Sequence, residues 1–288
     1  MSLYPHAMLP NRTQDQRARQ DFVKSFRAHL AMKVRSGLDK VYECRVKPKF
    51  EKEHGREPQE LKEVRQAMTQ DPYHQFWSAM QRKSQEAMYD SVADALEPQR
   101  GELIQRAKEL GKKAQGTLEL DPYLEIPKYH TAADIHIMPG GYHTDVVEDD
   151  VSAGVLYDTG LDIYAFGLIG PKNDLLVRVL INYLQKEYPN KKDFTKILDM
   201  GCAVGNSTTA LKEEYPEAEV HGIDVGAPVL RYAHARAESM GLPIHYKQQN
   251  AETTNYPDES FDLVCRLSCF TKPPSPHCPA SWGSPTGC

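Results

Sequence analysis

The chain has 288 residues, of which 40% are hydrophobic and 26% charged, so its composition excludes disorder throughout and is typical of a folded globular protein. Its formal net charge of −5 gives no general attraction to nucleic acids or to anionic membranes. No apolar run approaches the roughly 20 residues that span a bilayer, and no secretion signal is visible, so we expect a cytoplasmic protein without a membrane partner.

Residues 1–115 predict an all-helical N-terminal domain. Thr13 is predicted to cap the first helix, whose apolar positions recur every four residues: Phe22, Phe26, Leu30 and Val34. Pro58 is predicted to open a second helix, and Asp71 with Pro72 to begin a third, long one. A short fourth helix is expected at residues 101–110.

The helical region is locally basic, with fifteen Lys or Arg against nine Asp or Glu between Arg12 and Arg65. Such an excess is compatible with an RNA-facing surface. Because acidic residues are interleaved with the basic ones and few aromatic residues accompany them, we favour solvated helix faces. We expect this domain to shape a substrate site or to form a dimer, and the oligomeric state stays open.

Residues 116–170 lose helical periodicity and are rich in Pro, Gly, Tyr, His and Asp, which predicts a connector of loops and short strands. Tyr157 and Tyr164 in this connector are hypothetical lid residues, although they could also anchor it to a sheet. Pro171 is predicted to start an amphipathic helix that ends before Pro189.

Strands and helices alternate in the next segment. Short apolar strands are predicted at residues 196–200, 219–224, 244–248 and 261–265, with helices at 207–215 and 228–240. This alternation predicts parallel βαβ units and therefore an α/β fold.

A turn of small residues, in the sequence ILDMGCAVGNS from Ile197 to Ser207, follows the first of these strands. Glycines permit the backbone to turn tightly and to approach a ligand, and a helix N-terminus favours an anion. The spacing differs from the dinucleotide fingerprint GxGxxG. Asp224 closes the next strand nineteen residues after Gly205, and an ionised Asp at a strand end can accept both hydroxyls of a ribose.

In this order and spacing, residues 171–270 resemble the class I S-adenosylmethionine-dependent methyltransferase family. The resemblance implies a Rossmann-like sheet with S-adenosylmethionine as cofactor. It implies that the glycine-rich loop holds the methionine and ribose portions, with Ala203 where the family has a glycine. The loop residues implied to bind are Asp199, Gly201, Cys202, Ala203 and Gly205.

The same resemblance assigns the remaining cofactor contacts. Asp224 takes the ribose hydroxyls, and Val225 packs near the adenine. Asn250 stands where the family often has an Asp for the adenine amino group, and its amide oxygen can accept the same bond. The implied segment also includes Ala251 and Glu252, and Tyr157 lies where many family members place a lid.

The function implied by the resemblance is methyl transfer from S-adenosylmethionine to an acceptor, for which we favour a small molecule. Oxygen and nitrogen nucleophiles often benefit from a base, and the connector offers Tyr142 and His143, with His130 and His136 nearby. Loop histidines without a catalytic role are the simpler interpretation. An RNA methyltransferase is a second alternative, although we do not expect nucleic acid as a partner.

The family has seven strands in the order 3-2-1-4-5-7-6, and this chain offers sequence for four. In residues 271–288, five of eighteen residues are proline and none is Leu, Ile, Val or Met, which predicts a disordered tail rather than strands. We therefore expect a truncated or frameshifted member, and an inactive or cofactor-binding remnant is an alternative function. A zinc site would require an unfamiliar spacing, so we expect no metal; its ligands would be Cys265, Cys269, His277, Cys278 and Cys288.

Overall fold

A computed structural model describes residues 3–132, 136–189 and 194–267. Its first part is helical: α1 (Gln14–His29), α2 (Gly37–Val41), α3 (Lys47–His54), α4 (Leu61–Met68), α5 (Pro72–Leu96) and α6 (Arg100–Gly111). Short π-helical and 3-10 turns extend this run at Leu30–Val34, Tyr42–Val46 and Glu97–Gln99. In the described part of the chain, no helix is both long and apolar enough to cross a membrane.

The second part carries a parallel sheet. Its elements are β1 (Thr117–Glu119), α7 (Lys128–Thr131), α8 (Ser152–Tyr164), α9 (Leu175–Glu187), β2 (Lys196–Met200), α10 (Asn206–Glu214), β3 (Glu219–Asp224), α11 (Ala227–Ser239), β4 (His245–Gln248) and β5 (Leu263–Cys265). The strand order is β1-β4-β3-β2-β5, and every pairing is parallel. The predicted α/β fold behind a helical N-terminal region is confirmed, and β1 lies in the connector for which loops and short strands were predicted without bounds.

The two faces of the sheet are covered differently. On one face, buried residues of the strands pack with those of α9, α10 and α11, such as Ile181, Leu211 and Leu230. On the other face, the loop after β4 covers a small cluster: Leu198, Met200 and Ile223 contact Ala251, Tyr256 and Phe261. Because parallel strands end at one edge, the turns after β2, β3 and β4 meet there.

Helix caps in the N-terminal region agree with the sequence in two of three cases. Thr13 and Gln16 form a capping box, and the Asp71 carboxylate accepts a hydrogen bond from the Tyr73 amide. The prediction that Pro58 opens α4 was wrong, since Glu60 caps a helix that starts at Leu61.

The predicted apolar stripe of α1 was also wrong in part. Phe22 is 67% exposed, whereas Val23, Arg27 and Leu30 are buried. The buried face of α1 differs from the predicted stripe because the side that packs against α5 includes polar contacts. Arg27 donates to the Ser84 hydroxyl at 3.1 Å. Periodicity of apolar residues alone does not reveal such a face.

Residues 152–164 form α8, so the prediction of loops and short strands for this segment was wrong. Ten of its residues, including Asp158 and Thr159, are buried. A helix that is buried around its circumference shows no amphipathic period. Two glycines, Gly154 and Gly160, lower its helix propensity further.

The start of α9 also differs from the prediction at Pro171. Asn173 has φ of 56°, a left-handed conformation that interrupts a helix, and its amide nitrogen donates to Asp158. The helix therefore begins four residues later, at Leu175. Tertiary contact with α8, rather than the proline, fixes this boundary.

One buried cluster joins the helical region to the sheet region. It contains Met88 and Val92 of α5, Leu103 of α6, Val155 of α8 and Tyr232 of α11. Packing therefore crosses the predicted boundaries at 115 and 170, although the division into domains stays a prediction. The predicted tail, 271–288, lies outside the described residues.

Several cations of the helical region pair with acids on its surface, as Arg45 does with Asp71 at 2.8 Å and Arg56 with Glu63 at 2.6 Å. Exposed pairs of this kind contribute little to stability, about 0–1 kcal/mol. They are compatible with solvated helix faces, and the absence of a nucleic-acid partner stays a prediction.

Gly154 determines how closely α8 approaches α11. A Cβ at this position would lie 2.2 Å from Cβ of Tyr232, which is shorter than any real contact. We expect Gly154→Ala to lower the free energy of unfolding by about 2–3 kcal/mol, the cost of overpacking a core.

Chemical denaturation would measure this effect, with Gly160→Ala as the matched control on the same helix. A Cβ at Gly160 would meet atoms of Met88 and Tyr89 at an ordinary 3.6 Å, so we expect no loss of stability there. Equal destabilisation by the two substitutions would contradict the close-contact explanation.

Candidate functional site

The turn between β2 and α10 places three residues in the left-handed region. Gly201 has φ of 74°, Ala203 of 48° and Gly205 of 76°. A side chain disfavours this conformation, which explains the two glycines and leaves Ala203 under local strain. Gly205 also has no room for a side chain, since a Cβ would lie 2.4 Å from the Tyr246 hydroxyl. The loop is therefore a tight cradle that leads into a helix N-terminus.

Asp224, the last residue of β3, lies beside this cradle. Its Oδ2 accepts a hydrogen bond from the Ala203 amide at 3.0 Å, and its Oδ1 accepts one from the Gly226 amide at 2.9 Å. These bonds fix the orientation of the carboxylate. An ionised carboxylate has about four acceptor positions, so two amide bonds are compatible with further bonds to a diol.

Asp199 lies beneath the cradle, with only 1% of its surface exposed. Its Oδ2 accepts hydrogen bonds from the hydroxyls of Ser207 at 2.5 Å and Thr208 at 2.7 Å, both in the first turn of α10. Burial raises the pKa of Asp199 to about 6, the charge of Asp224 adds to the increase, and the two hydroxyl bonds oppose it. Asp199 therefore holds the loop to the helix rather than facing a ligand.

A cavity of about 1000 Å³ opens above the cradle. This volume is at the upper end of the range for small-molecule sites, so it can hold two ligands side by side. The cradle side of the cavity is lined by Gly201, Ala203, Asn206, Ser207, Asp224 and Val225.

Another part of the cavity lining comes from α5 and α8. It consists of Gln85, Met88 and Tyr89 of α5, with Tyr157, Gly160, Leu161 and Tyr164 of α8. Sequence analysis missed the three α5 residues, because their place depends on how α5 packs against α8. No local signal in the sequence marks them.

Two aromatic groups, Tyr142 and His136, line the cavity from the loop before α8. The Tyr142 hydroxyl and Nδ1 of His136 are 2.6 Å apart. Nε2 of Gln85 donates to the backbone oxygen of His136 at 3.2 Å, which ties this loop to α5. The ring of Tyr142 packs edge-on against Tyr157, with centroids 5.6 Å apart.

Tyr157 faces two carboxylates. Burial raises its pKa to about 12, and the charges of Asp224 and Asp158 add to that increase. At neutral pH its hydroxyl is therefore a hydrogen-bond donor and not a base.

The structure brings most of the predicted site residues to one cavity. Those that line it are Gly201, Ala203, Asp224, Val225, Ala251, Glu252, Tyr142 and Tyr157. Those outside its lining are Asp199, Cys202, Gly205, Asn250 and His143. The roles assigned to both groups stay predictions.

Asn250 is placed differently from the role that the resemblance implies. Its Oδ1 accepts hydrogen bonds from the Glu252 amide at 3.0 Å and from the Tyr129 hydroxyl at 3.2 Å. The preceding residue, Gln249, lines the main cavity instead. Cys202 is buried, and burial raises the pKa of its thiol well above the usual value, so it is a packing residue.

Two buried polar atoms fit a ligand with the groups of S-adenosylmethionine. Nε2 of Gln249 and Oδ1 of Asn206 belong to cavity-lining side chains, and within the described chain neither has a hydrogen-bond partner. Such orphaned groups are costly unless a ligand or water satisfies them. The amide nitrogen can donate to a base edge, and the amide oxygen can accept from an ammonium group.

No group of three or more His, Cys, Asp or Glu is arranged to hold a metal ion in the part of the chain that the structure describes. Three ligands of the alternative zinc site, Cys269, Cys278 and Cys288, lie outside those residues, as does His277.

Comparison with known proteins places the similarity on this site. Residues 197–281 match a family model described as a methyltransferase domain. Over 106 residues the chain is 33% identical to the demethylmenaquinone methyltransferase of Thermus thermophilus. The aligned segment covers 34% of this chain and 48% of that protein.

Two further relatives carry different printed activities. A ubiquinone biosynthesis O-methyltransferase of Photorhabdus laumondii is 31% identical over 84 residues, covering 28% of this chain and 34% of that protein. Phosphoethanolamine N-methyltransferase 1 of Arabidopsis thaliana is 31% identical over 78 residues, covering 27% of this chain and 16% of that protein. The chain thus matches less than half the length of each of these relatives.

The strain at Ala203 can be tested directly. We expect Ala203→Gly to raise the free energy of unfolding by up to about 1 kcal/mol, because relief of the left-handed strain outweighs the greater entropy of glycine in the unfolded chain. A thermal melt would detect the increase. A lower melting temperature would show that the Ala203 methyl group contributes packing that exceeds the strain.

The raised pKa of Asp199 predicts that the stability of the fold depends on pH. Its pKa is about 6 in the folded chain and near 4 when unfolded, so the folded state binds more protons between these values. Stability from this group is therefore present below pH 4 and is lost as the pH rises through 6, by about 3 kcal/mol.

In Asp199→Asn this loss is removed, while the amide oxygen can still accept bonds from Ser207 and Thr208. Urea denaturation of both proteins between pH 4 and pH 8 would measure it. We expect the variant to gain stability relative to the native chain as the pH rises, and parallel curves would refute the assignment.

Proposed function

We propose that this chain, which belongs to the class I S-adenosylmethionine-dependent methyltransferase family, transfers the cofactor's methyl group to a small-molecule acceptor. Family membership supplies the reaction class. The acceptor and the activity of this particular chain are part of the proposal, because the matched relatives are longer than the segment they share with it.

The observation that carries the proposal is the position of Asp224 beside the left-handed turn Gly201–Gly205. A fixed carboxylate at the end of the second strand of the βαβ unit is placed to accept two ribose hydroxyls. The turn permits a ligand to approach the backbone closely, which a turn with bulkier residues would prevent. Gln249 and Asn206 add a donor and an acceptor at the cavity surface.

When bound, S-adenosylmethionine supplies a methyl group that its sulfonium has already activated. The protein's own contribution is then to hold the acceptor in line with that methyl group and to exclude water, and positioning of this kind lowers a barrier by about 7–11 kcal/mol. The α5 and α8 residues are suited to this task, since they line the same cavity as the cradle.

Two observations support a small acceptor. The cavity is lined by helices as well as by the turns at the sheet edge, and the printed names of the relatives above refer to demethylmenaquinone, ubiquinone biosynthesis and phosphoethanolamine. A cytoplasmic location, expected from the sequence, is part of the proposal.

Calorimetric titration with S-adenosylmethionine and with S-adenosylhomocysteine tests the cofactor assignment. We expect the native chain to bind both and Asp224→Ala to bind at least about 100-fold more weakly, since two hydrogen bonds to a charged group are lost. Absence of binding by the folded native chain would overturn the proposal and favour a non-binding remnant.

Asp262→Ala is the matched control for this variant. The Asp262 carboxylate also holds backbone amides, those of Thr195 at 2.8 Å and Lys196 at 2.9 Å, but it lies outside the cavity lining. We expect Asp262→Ala to lose stability and to keep its cofactor affinity. Equal loss of affinity in the two variants would show that Asp224 acts only through folding.

A further inference from the structure

One face of α9 carries large apolar side chains that are exposed, at positions that helical periodicity places together. They are Leu175, Leu176, Val179 and Tyr183. The opposite face of the helix is buried in the core of the sheet region through Val177 and Ile181. Two sides of α9 are therefore apolar, and the described part of the chain covers one of them.

The exposed face of α9 continues to an opening of the cavity. Leu176 lines the cavity and is also exposed to solvent, as are Tyr164 at the end of α8 and Val264 of β5. The four α9 residues, together with Tyr164 and Val264, are called the α9 surface below. Because three of its members are reached both from solvent and from the cavity, a partner that covers the α9 surface also covers this opening.

The α9 surface is large enough to serve as an interface. At their exposed fractions, its residues together present roughly 600 Å² to solvent. The largest apolar patch on a typical monomer measures about 300–600 Å², so this surface is at the upper end of that range. A standard interface takes about 800 Å² from each partner, of which somewhat more than half is apolar. The α9 surface therefore supplies the apolar part of one side of such an interface.

The charged groups beside the α9 surface favour a second copy of this chain over an anionic membrane. The Arg178 guanidinium pairs with Asp174 at 2.6 Å and with Glu213 at 2.9 Å. Lys186, near the end of the helix, lies 3.8 Å from Glu187. Since these charges are compensated within each chain, two identical surfaces meet without net repulsion. Attraction to an anionic membrane requires cations that are free to face the lipid.

We propose that the α9 surface binds the same surface on a second copy of the chain, and that each copy closes the cavity opening of its partner. Identical surfaces meet in this way around a twofold axis. The association itself is independent of the proposed function. The role of closure rests on that function, because closing the site excludes water from the methyl transfer.

Sedimentation velocity of the full chain tests the association. We expect a dimer that dissociates on dilution. We expect Val179→Glu to weaken the dimer at least about 100-fold, because two like charges then face each other across an apolar contact. Val179 is 58% exposed and Glu has a higher helix propensity than Val, so we expect the variant to keep the native melting temperature.

Leu61→Glu is the matched control for this variant. Leu61 is 88% exposed at the start of α4 and does not line the cavity, so we expect the Leu61→Glu chain to form the native dimer. Loss of the dimer in both variants would place the interface elsewhere and overturn the inference.

The rate at which bound radiolabelled S-adenosylmethionine exchanges with unlabelled cofactor tests the closure. At a concentration where the native chain is dimeric, we expect Val179→Glu to release the label at least about 10-fold faster than the native chain. We expect Leu61→Glu to release it at the native rate. Equal rates for the native dimer and the Val179→Glu monomer would overturn the closure.

Two further results would overturn the association. One is a native chain that stays monomeric up to about 100 μM, with or without binding to vesicles of phosphatidylcholine and phosphatidylglycerol. Vesicle binding that Val179→Glu abolishes would identify a lipid surface as the occupant. The other is a dimer that persists unchanged in Val179→Glu. A dimer that forms as expected but binds no S-adenosylmethionine would overturn the proposed function and leave the association in place.

Discussion

The site's geometry depends on the hydrogen bonds and ion pairs of the buried Asp158 carboxylate. The Tyr232 hydroxyl donates to it at 2.9 Å, Nδ2 of Asn173 donates to it at 3.1 Å, and Nε2 of His6 lies 3.2 Å away. Burial alone would raise its pKa, but the charge of Arg236, together with His6 and Tyr232, outweighs burial and holds the pKa well below its usual range. A buried charge is tolerated only when it is paired. The segment with His6, the turn with Asn173 and helix α11 are therefore all held to α8 through this carboxylate.

Arg236 extends this constraint to the cradle formed by the turn after β2. Its Nε is 3.7 Å from the Asp158 carboxylate, and its Nη1 donates to the backbone oxygen of Val204 at 3.3 Å. Val204 belongs to the turn that carries Ala203 and Gly205. The helix α8, which lines the cavity, is therefore connected through the Asp158 carboxylate and the Arg236 guanidinium to the turn that forms the cradle.

The sequence predicted those structural features that leave a pattern in neighbouring residues, and it missed those set by tertiary contacts. The strand at residues 219–224 and the position of the glycine-rich turn were accessible, because alternation, glycine and a strand-end Asp are local features. The helix at residues 152–164 was not, since burial on all sides erases its period. The start of α9 was missed because the left-handed Asn173 donates a side-chain hydrogen bond to Asp158 of α8. The sequence does not mark this tertiary contact. In the cavity, Asp224 was predicted, whereas Gln85 is brought there by the packing of α5, and Gln249 was missed in favour of its neighbour Asn250.

The cavity thus combines two contributions with different origins. The cradle side is set by strand ends, whose geometry any parallel βαβ unit repeats, and the residues there lie in the segment that matches the methyltransferase family model. The rest of the lining includes residues of α5, α8 and the loop holding Tyr142, and all three lie outside the segment that matches the family model. Since the family match covers only the sheet edge, what the rest of the cavity can hold must be inferred from its own lining residues and not from the family.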